Sequence, residues 1–320
     1  MLKRAGRLLA AVLLPFMLAS PTVHAAELVV IVVPSAAGSA PDIIARILGD
    51  ELRQRLDQPV VIENRPGAGG IVAVMAARNA ASANNTLLLA QAAVVAVTPL
   101  TYRAAKYDME RDFEPVSVVA QTPMLFVANP PRGPKCLAHA IAQARARPES
   151  LTISSPSRGS IPHLSAELLQ QATGTRFNTI PMGTSAQALQ SVLGGDSQLS
   201  VDGISALLPM VKAGRLRALA VAGSAPVPGL ESLPLARDTV PGLQVSGWFM
   251  LFARQGVPAA RLQAFNAAVN AALQSPSVVE KLQATANYPV GGSIADARAF
   301  LSGERKMWAA AVQRAGLTPE

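Results

Sequence analysis

The stretch from Leu28 to Leu56 limits what this chain can become. An apolar run, Leu28-Val29-Val30-Ile31-Val32-Val33-Pro34, leads into a small-residue loop, Ser35-Ala36-Ala37-Gly38-Ser39-Ala40-Pro41-Asp42. Apolar residues then recur at Ile43, Ile44, Ile47, Leu48, Leu52 and Leu56. The β-branched run reads as a parallel strand buried on both faces, and the later spacing as an amphipathic helix. Pro41 suits the first turn of that helix, and Asp42 the positive end of its dipole. A strand, a Gly/Ser loop and a free helix N-terminus together outline an anion site, although an ordinary βα turn has the same appearance.

The same device returns further on. Leu151-Thr152-Ile153-Ser154 reads as a strand, Ser155-Pro156-Ser157-Arg158-Gly159-Ser160-Ile161-Pro162 as a loop, and Leu164 to Ala172 as a helix. The two copies share chemistry and not sequence. Other strands are expected at Pro59–Glu63, Thr86–Ala90, Val116–Ala120, Met124–Asn129, Asn178–Pro181, Leu199–Asp202, Leu216–Val221 and Val245–Phe252. Helices alternate with them, and the section from Pro99 to Pro115 reads as irregular. The pattern predicts an α/β protein whose chain leaves a first lobe near residue 125 and returns near 247. Two crossings make a hinge, and strand–loop–helix edges on both sides of it make a closing cleft.

Lys3, Arg4 and Arg7 precede an apolar run from Leu8 to Leu18, and Val23-His24-Ala25 fits a small-residue cleavage site before Ala26. That is the layout of a secretory signal peptide, about half the length needed to span a bilayer. Residues 1–25 are therefore set aside, and the mature chain is expected to be exported, soluble and monomeric, with no membrane span. The net charge of +8 falls to +5 once the three leader cations go, and no basic cluster carries interleaved aromatics, so nucleic acid is a poor partner. Cys136 is the sole cysteine and cannot pair internally or hold a metal alone.

Catalytic and cofactor motifs do not close. Gly67-x-Gly69 is followed by Val72 where a dinucleotide loop needs its third glycine. Past the leader the histidines are His139 and His163, without zinc-ligand spacing, and no Gly-x-Ser-x-Gly elbow is present. No catalytic residue, metal site or cofactor is expected; a secreted hydrolase is the weakest alternative.

Several motifs in order carry a family resemblance. They include Ile31-Val32-Val33-Pro34, Asp42-x-x-Ala45-Arg46, Gln58 to Gly70 with its Glu63-Asn64-Arg65-Pro66-Gly67-Ala68-Gly69-Gly70 run, and Asp112-Phe113-x-Pro115-Val116-Ser117. Further on come His163-Leu164, Leu193-Gly194-Gly195, Lys212 to Ala220 and Ser246-x-Trp248-Phe249. With these the chain resembles the Bug receptors, periplasmic solute-binding proteins of tripartite tricarboxylate transporters. The resemblance implies a two-lobed type II periplasmic-binding-protein fold, each lobe a mixed sheet flanked by helices. Lobe 1 would comprise 26–124 and 247–320, and lobe 2 125–246, with the ligand cleft between them. It implies a small organic acid as ligand, membrane transporter subunits as partners and the periplasm as location. A sensor histidine kinase as docking partner is the alternative.

By position, the resemblance places the ligand at Ser35, Ala37, Gly38, Ser39 and Asp42 in the first loop. In the second loop it implies Ser154, Ser155, Ser157, Arg158, Gly159 and Ser160, with Met182, Gly183 and Asp202 on the far side. Here the sequence departs from the family: Ser35 replaces an aromatic, Ser39 a glycine, Pro41 a threonine, and Met182-Gly183 a Tyr-Lys or Tyr-Arg pair. Each residue also has a plainer role. Asp42 can simply cap its helix, Arg158 can be a solvated loop cation or pair with a carboxylate, and the serines are natural turn formers. Arg158 could replace the lost cation; otherwise the ligand is more apolar than a tricarboxylate.

Overall fold

A computed structural model describes residues 27–319, so the expected leader lies outside the described residues. β1 (Val29–Val33) alternates its side chains between two cores. Val29, Ile31 and Val33 face one helical layer and Val32 the other, which is why the run is apolar throughout. It passes through the Ser35–Ser39 loop into α1 (Ala40–Leu56), with Pro41 in the first turn as its fixed φ allows. β2 (Val60–Asn64), a 3₁₀ turn at Ala68–Gly70, α2 (Ile71–Arg78) and β3 (Thr86–Gln91) follow.

The section from Pro99 to Pro115 is more regular than its composition suggests. A π-helical turn at Ala93–Val97 runs into α3 (Thr98–Thr101), and α4 (Met109–Asp112) is capped by the Asp108 carboxylate, which accepts from Glu110 N at 2.9 Å. Tyr107 Oη donates to Val94 O at 2.6 Å, supplying a partner to a carbonyl of the wide turn.

A second difference concerns the crossing. Val116–Ala120 and Met124–Asn129 are not separate strands: β4 is one strand of 16 residues, Phe113–Ala128. Proline at 115 and 123 hides this in the sequence. Pro115 lies where the register shifts, and Pro123 lies where β4 exchanges partners.

The rest of the chain continues as α5 (Leu137–Ala146), β5 (Thr152–Ser155), α6 (Ile161–Thr173), β6 (Asn178–Pro181), α7 (Ser185–Gly194), β7 (Leu199–Gly203), α8 (Ile204–Lys212), β8 (Arg217–Val221) and α9 (Ala236–Thr239). It returns through β9 (Ser246–Arg254) and closes with α10 (Ala259–Leu273), α11 (Pro276–Ala284), β10 (Tyr288–Gly291) and α12 (Ile294–Arg314). β2, β1 and β3 are parallel, β3–β9–β4 antiparallel, and β7, β5 and β6 parallel, giving the order β2-β1-β3-β9-β4-β7-β5-β6. From Phe113 to Pro123, β4 pairs with β9; from Met124 to Ala128 it pairs with β7 and β8.

The sheet thus curls into two lobes that share one strand. α12 makes a third link, packing against β4, the π turn and α6, with Trp308, Ala311 and Val312 buried in the same core as Leu164 and Val94. Among the described residues no helix is long and apolar enough to cross a membrane.

Candidate functional site

The first loop is closed on itself. Asp42 is buried in the first turn of α1; its Oδ2 accepts from Gly38 N at 2.8 Å, and both oxygens accept from Arg46 Nε at 3.0 Å. The Arg46 guanidinium holds the Asp42 carboxyl below the usual carboxylate range, against the opposing effect of burial. Ser39 Oγ donates to Ala36 O at 2.6 Å and shares a hydroxyl–hydroxyl hydrogen bond of 2.7 Å with Ser35 Oγ, and Asn64 Nδ2 donates to Ser35 O at 3.1 Å. Ala37 and Gly38 are exposed at the tip.

In the second lobe the sequence candidates divide. Ser154 is fully buried and donates to Ala188 O at 3.1 Å. Ser155 is buried too, with no hydrogen-bond partner for its hydroxyl among the described residues. Ser157 to Ser160 form a tight loop into α6. Ser160 caps the helix by accepting from His163 N at 3.4 Å, and His163 Nδ1 accepts from Gly159 N at 3.3 Å. Burial, then the nearby Arg158 charge, pushes the His163 imidazole down to about 4, so it is neutral at pH 7 and fixes the loop. Met182 N donates to Ser155 O at 2.9 Å, and Gly183 turns with φ +90°. Asp202 Oδ1 accepts from Gly203 N at 2.7 Å, while its other oxygen is buried without a hydrogen-bond partner among the described residues; burial pushes its pKa up.

The Ser157–Ser160 loop opens onto a cavity of about 430 Å³. Ser157, Arg158, Gly159 and Ser160 form one wall and Gly67–Gly70 faces them, with Pro34, Gln91, Val94 and Tyr102 on the same side. Of the first loop only the flanking Pro34 reaches this lining; Ser35, Ala37, Gly38, Ser39 and Asp42 do not, and neither do Ser154, Ser155, Met182, Gly183 and Asp202. The facing loop is one the sequence marks by its glycines but that is absent from the candidates above. Every residue from Gly67 to Gly70 has positive φ, and a Cβ on Gly70 would meet Val94 Cγ2 at 2.6 Å, so glycine is required there. Gln91, Tyr102, Leu317 and Thr318 also line the cavity from positions remote in sequence.

The electrostatics are one-sided. Arg158 is the charged residue of the lining, and no carboxylate joins it among the described residues. Its Nη2 donates to Gly316 O at 3.4 Å, so the segment after α12 passes over this wall. The N-termini of α2 and α6 enter from opposite lobes through Gly70 and Ser160, adding the partial positive charge of their first N–H groups. No group of three or more His, Cys, Asp or Glu able to hold a metal occurs among the described residues. The arrangement can neutralise a small anion and place it between lobes; the lining brings no imidazole, thiol or carboxylate to act on it.

Comparison with known proteins finds relatives along most of the chain. The family described as "Tripartite tricarboxylate transporter family receptor" matches residues 44–317. Protein BugT of Bordetella pertussis is 33% identical over 299 residues, covering 93% of this chain and 92% of that protein. An R. palustris protein solved with adipate superposes with a TM-score of 0.74 at 32% identity, covering 91% of this chain and 98% of that one. MatC from Rhodopseudomonas palustris with bound malate gives a TM-score of 0.69 at 28% identity, covering 89% and 98%.

Proposed function

The chain belongs to the tripartite tricarboxylate transporter receptor family, a family of solute-binding receptors, and from that premise we propose that it captures a small carboxylic acid in the cleft between its lobes. The observation that carries the reading is the cavity lining: one guanidinium, two helix N-termini and no carboxylate. Such a site neutralises an acid without proton transfer or metal chemistry. The adipate and malate held by its structural relatives are acids of this size class.

In this reading residues 26–124 with 247–320 move against 125–246, bending where β4 and β9 cross at Pro123–Met124 and Ser246–Gly247. The open form takes the acid on one wall, and closure brings Ser157–Ser160 and Gly67–Gly70 together over it. The ligand shifts the population toward the closed form in proportion to its extra contacts there. The closed receptor, a monomer in the periplasm, then delivers the acid to membrane transporter subunits, with no catalytic step of its own.

A thermal-shift screen of the mature chain against mono-, di- and tricarboxylates tests this. An acid at about 100 times its Kd adds roughly 2.7 kcal/mol, enough to raise the melting point by a few degrees. A rise with neutral sugars and with no acid would contradict it.

A further inference from the structure

The cleft has a second compartment. A cavity of about 240 Å³ adjoins the first, and the two share Gln91, Ala93 and Ser160. Its character differs. Pro41, Ile161, Pro162, Trp248 and Phe249 wall it, and no charged residue lines it among the described residues. The one polar atom of the Trp248 side chain is already committed, since its Nε1 donates to Glu304 Oε2 at 2.6 Å. Only the indole's carbon surface is left to face the compartment.

Between the compartments stands Gln91, at the end of β3. Its Oε1 is buried and has no hydrogen-bond partner among the described residues. A buried acceptor left unmade costs free energy, so a ligand donor toward which this terminal amide can turn is favoured over a ligand without one. The order along the cleft is therefore a cationic pocket at Arg158, an unfilled acceptor at Gln91 and an apolar pocket at Trp248 and Phe249.

We infer that the ligand is a monocarboxylic acid with an apolar body and a hydrogen-bond donor between the two, of the type of a 2-hydroxy acid with an aromatic or branched side chain. This rests on the acid-receptor reading and narrows it. The carboxylate lies with Arg158 and the helix N-termini, the body fills the second compartment, and the Gln91 amide, which lines both, turns its buried Oε1 toward the ligand hydroxyl to accept from it. A second carboxylate at the far end would meet the carbon surfaces of Phe249 and Ile161 and lose its hydration without a partner.

The test is titration of the mature protein with 3-phenyllactate, 3-phenylpropionate, malate and succinate, followed by calorimetry and by tryptophan fluorescence. The expected order has 3-phenyllactate tightest, with about a tenfold loss on removing the hydroxyl and a larger loss for malate and succinate. Gln91→Met, checked for an unchanged melting point, is expected to abolish the preference, so that 3-phenyllactate and 3-phenylpropionate bind this variant with the same affinity. Malate or succinate binding as tightly as 3-phenyllactate would overturn this inference and leave the acid-receptor reading standing. Equal affinity for the two phenyl acids in the unaltered protein, or a hydroxyl preference that survives in Gln91→Met, would overturn the role of Gln91. Binding of none of the four, together with no response to any acid in the thermal screen, would overturn both readings.

Discussion

Trp248 and Glu304 join the strand that re-enters the first lobe to the last helix. The indole Nε1 on β9 donates to Glu304 Oε2 at 2.6 Å, and the same oxygen accepts from Trp308 Nε1 at 2.8 Å. Phe300 and Trp248 pack edge to face at a centroid distance of 5.6 Å. Burial pushes the Glu304 carboxyl up, while both indole donors act to hold it down. One carboxylate therefore satisfies two indoles and fixes α12 against the crossing strands.

Glu304→Ala is expected to leave both indole donors unpaired and to destabilise the protein by about 3 kcal/mol, since each orphaned buried donor costs about 1–3 kcal/mol. Urea unfolding measures it, with Glu304→Gln retaining an acceptor and losing less. Identical midpoints for Glu304→Ala and the unaltered protein would mean that these bonds contribute nothing.

The glycine loop predicts a contrast between two alanine substitutions. Gly70→Ala meets both strain at φ +94° and overlap with Val94 Cγ1 at 2.8 Å, whereas Gly38→Ala at φ +81° has nothing within 4 Å of the new Cβ. Strain alone costs about 1 kcal/mol, and overpacking adds about 1–3 kcal/mol. Thermal melts should show Gly70→Ala well below Gly38→Ala; equal melting points would refute the close approach.

His163 predicts a pH effect. Its pKa is held down at about 4 in the fold by burial and then by the Arg158 charge, against about 6.5 in an unfolded chain. The unfolded state therefore takes up the proton first as pH falls. The stability tied to the neutral imidazole is complete above about pH 6.5 and is lost as pH drops toward about 4. Melting points of the unaltered protein should fall more steeply across that window than those of His163→Gln. Parallel curves would show that the imidazole stays neutral in both states or charged in both.

Asp42 predicts a separation of stability from binding. Its oxygens are taken by Gly38 N and Arg46, so Asp42→Ala is expected to cost about 2 kcal/mol of stability and to change acid affinity far less than a substitution at Arg158. A loss of affinity as large as that of Arg158→Ala, in a protein with an unchanged melting point, would instead make Asp42 a direct ligand contact.

Much of this arrangement can be read from the residues. The β1–α1 and β5–α6 units announce themselves because a parallel strand buried on both faces must be apolar, and because Pro41 and Ser160 mark helix starts. The continuity of β4 is hidden because Pro115 and Pro123 break the apolar pattern at sites where the pairing itself shifts. β10 was hidden too, since Pro289 and Gly291 look like loop residues and its pairing with β4 is decided by tertiary contact. At the cavity, Ser157–Ser160 are legible from loop chemistry. Gln91, Tyr102 and Leu317 are ordinary residues locally, and only the fold brings them to the same space.

The most direct measurement is calorimetric titration of the acid that gives the largest thermal shift into the unaltered protein and into Arg158→Ala. A single site is expected, with affinity in Arg158→Ala weaker by about ten- to a hundredfold, the scale of a lost charge-assisted hydrogen-bonded pair. The same Kd in both proteins would remove Arg158 from the site and contradict the assignment of this cavity as the place where the acid is held.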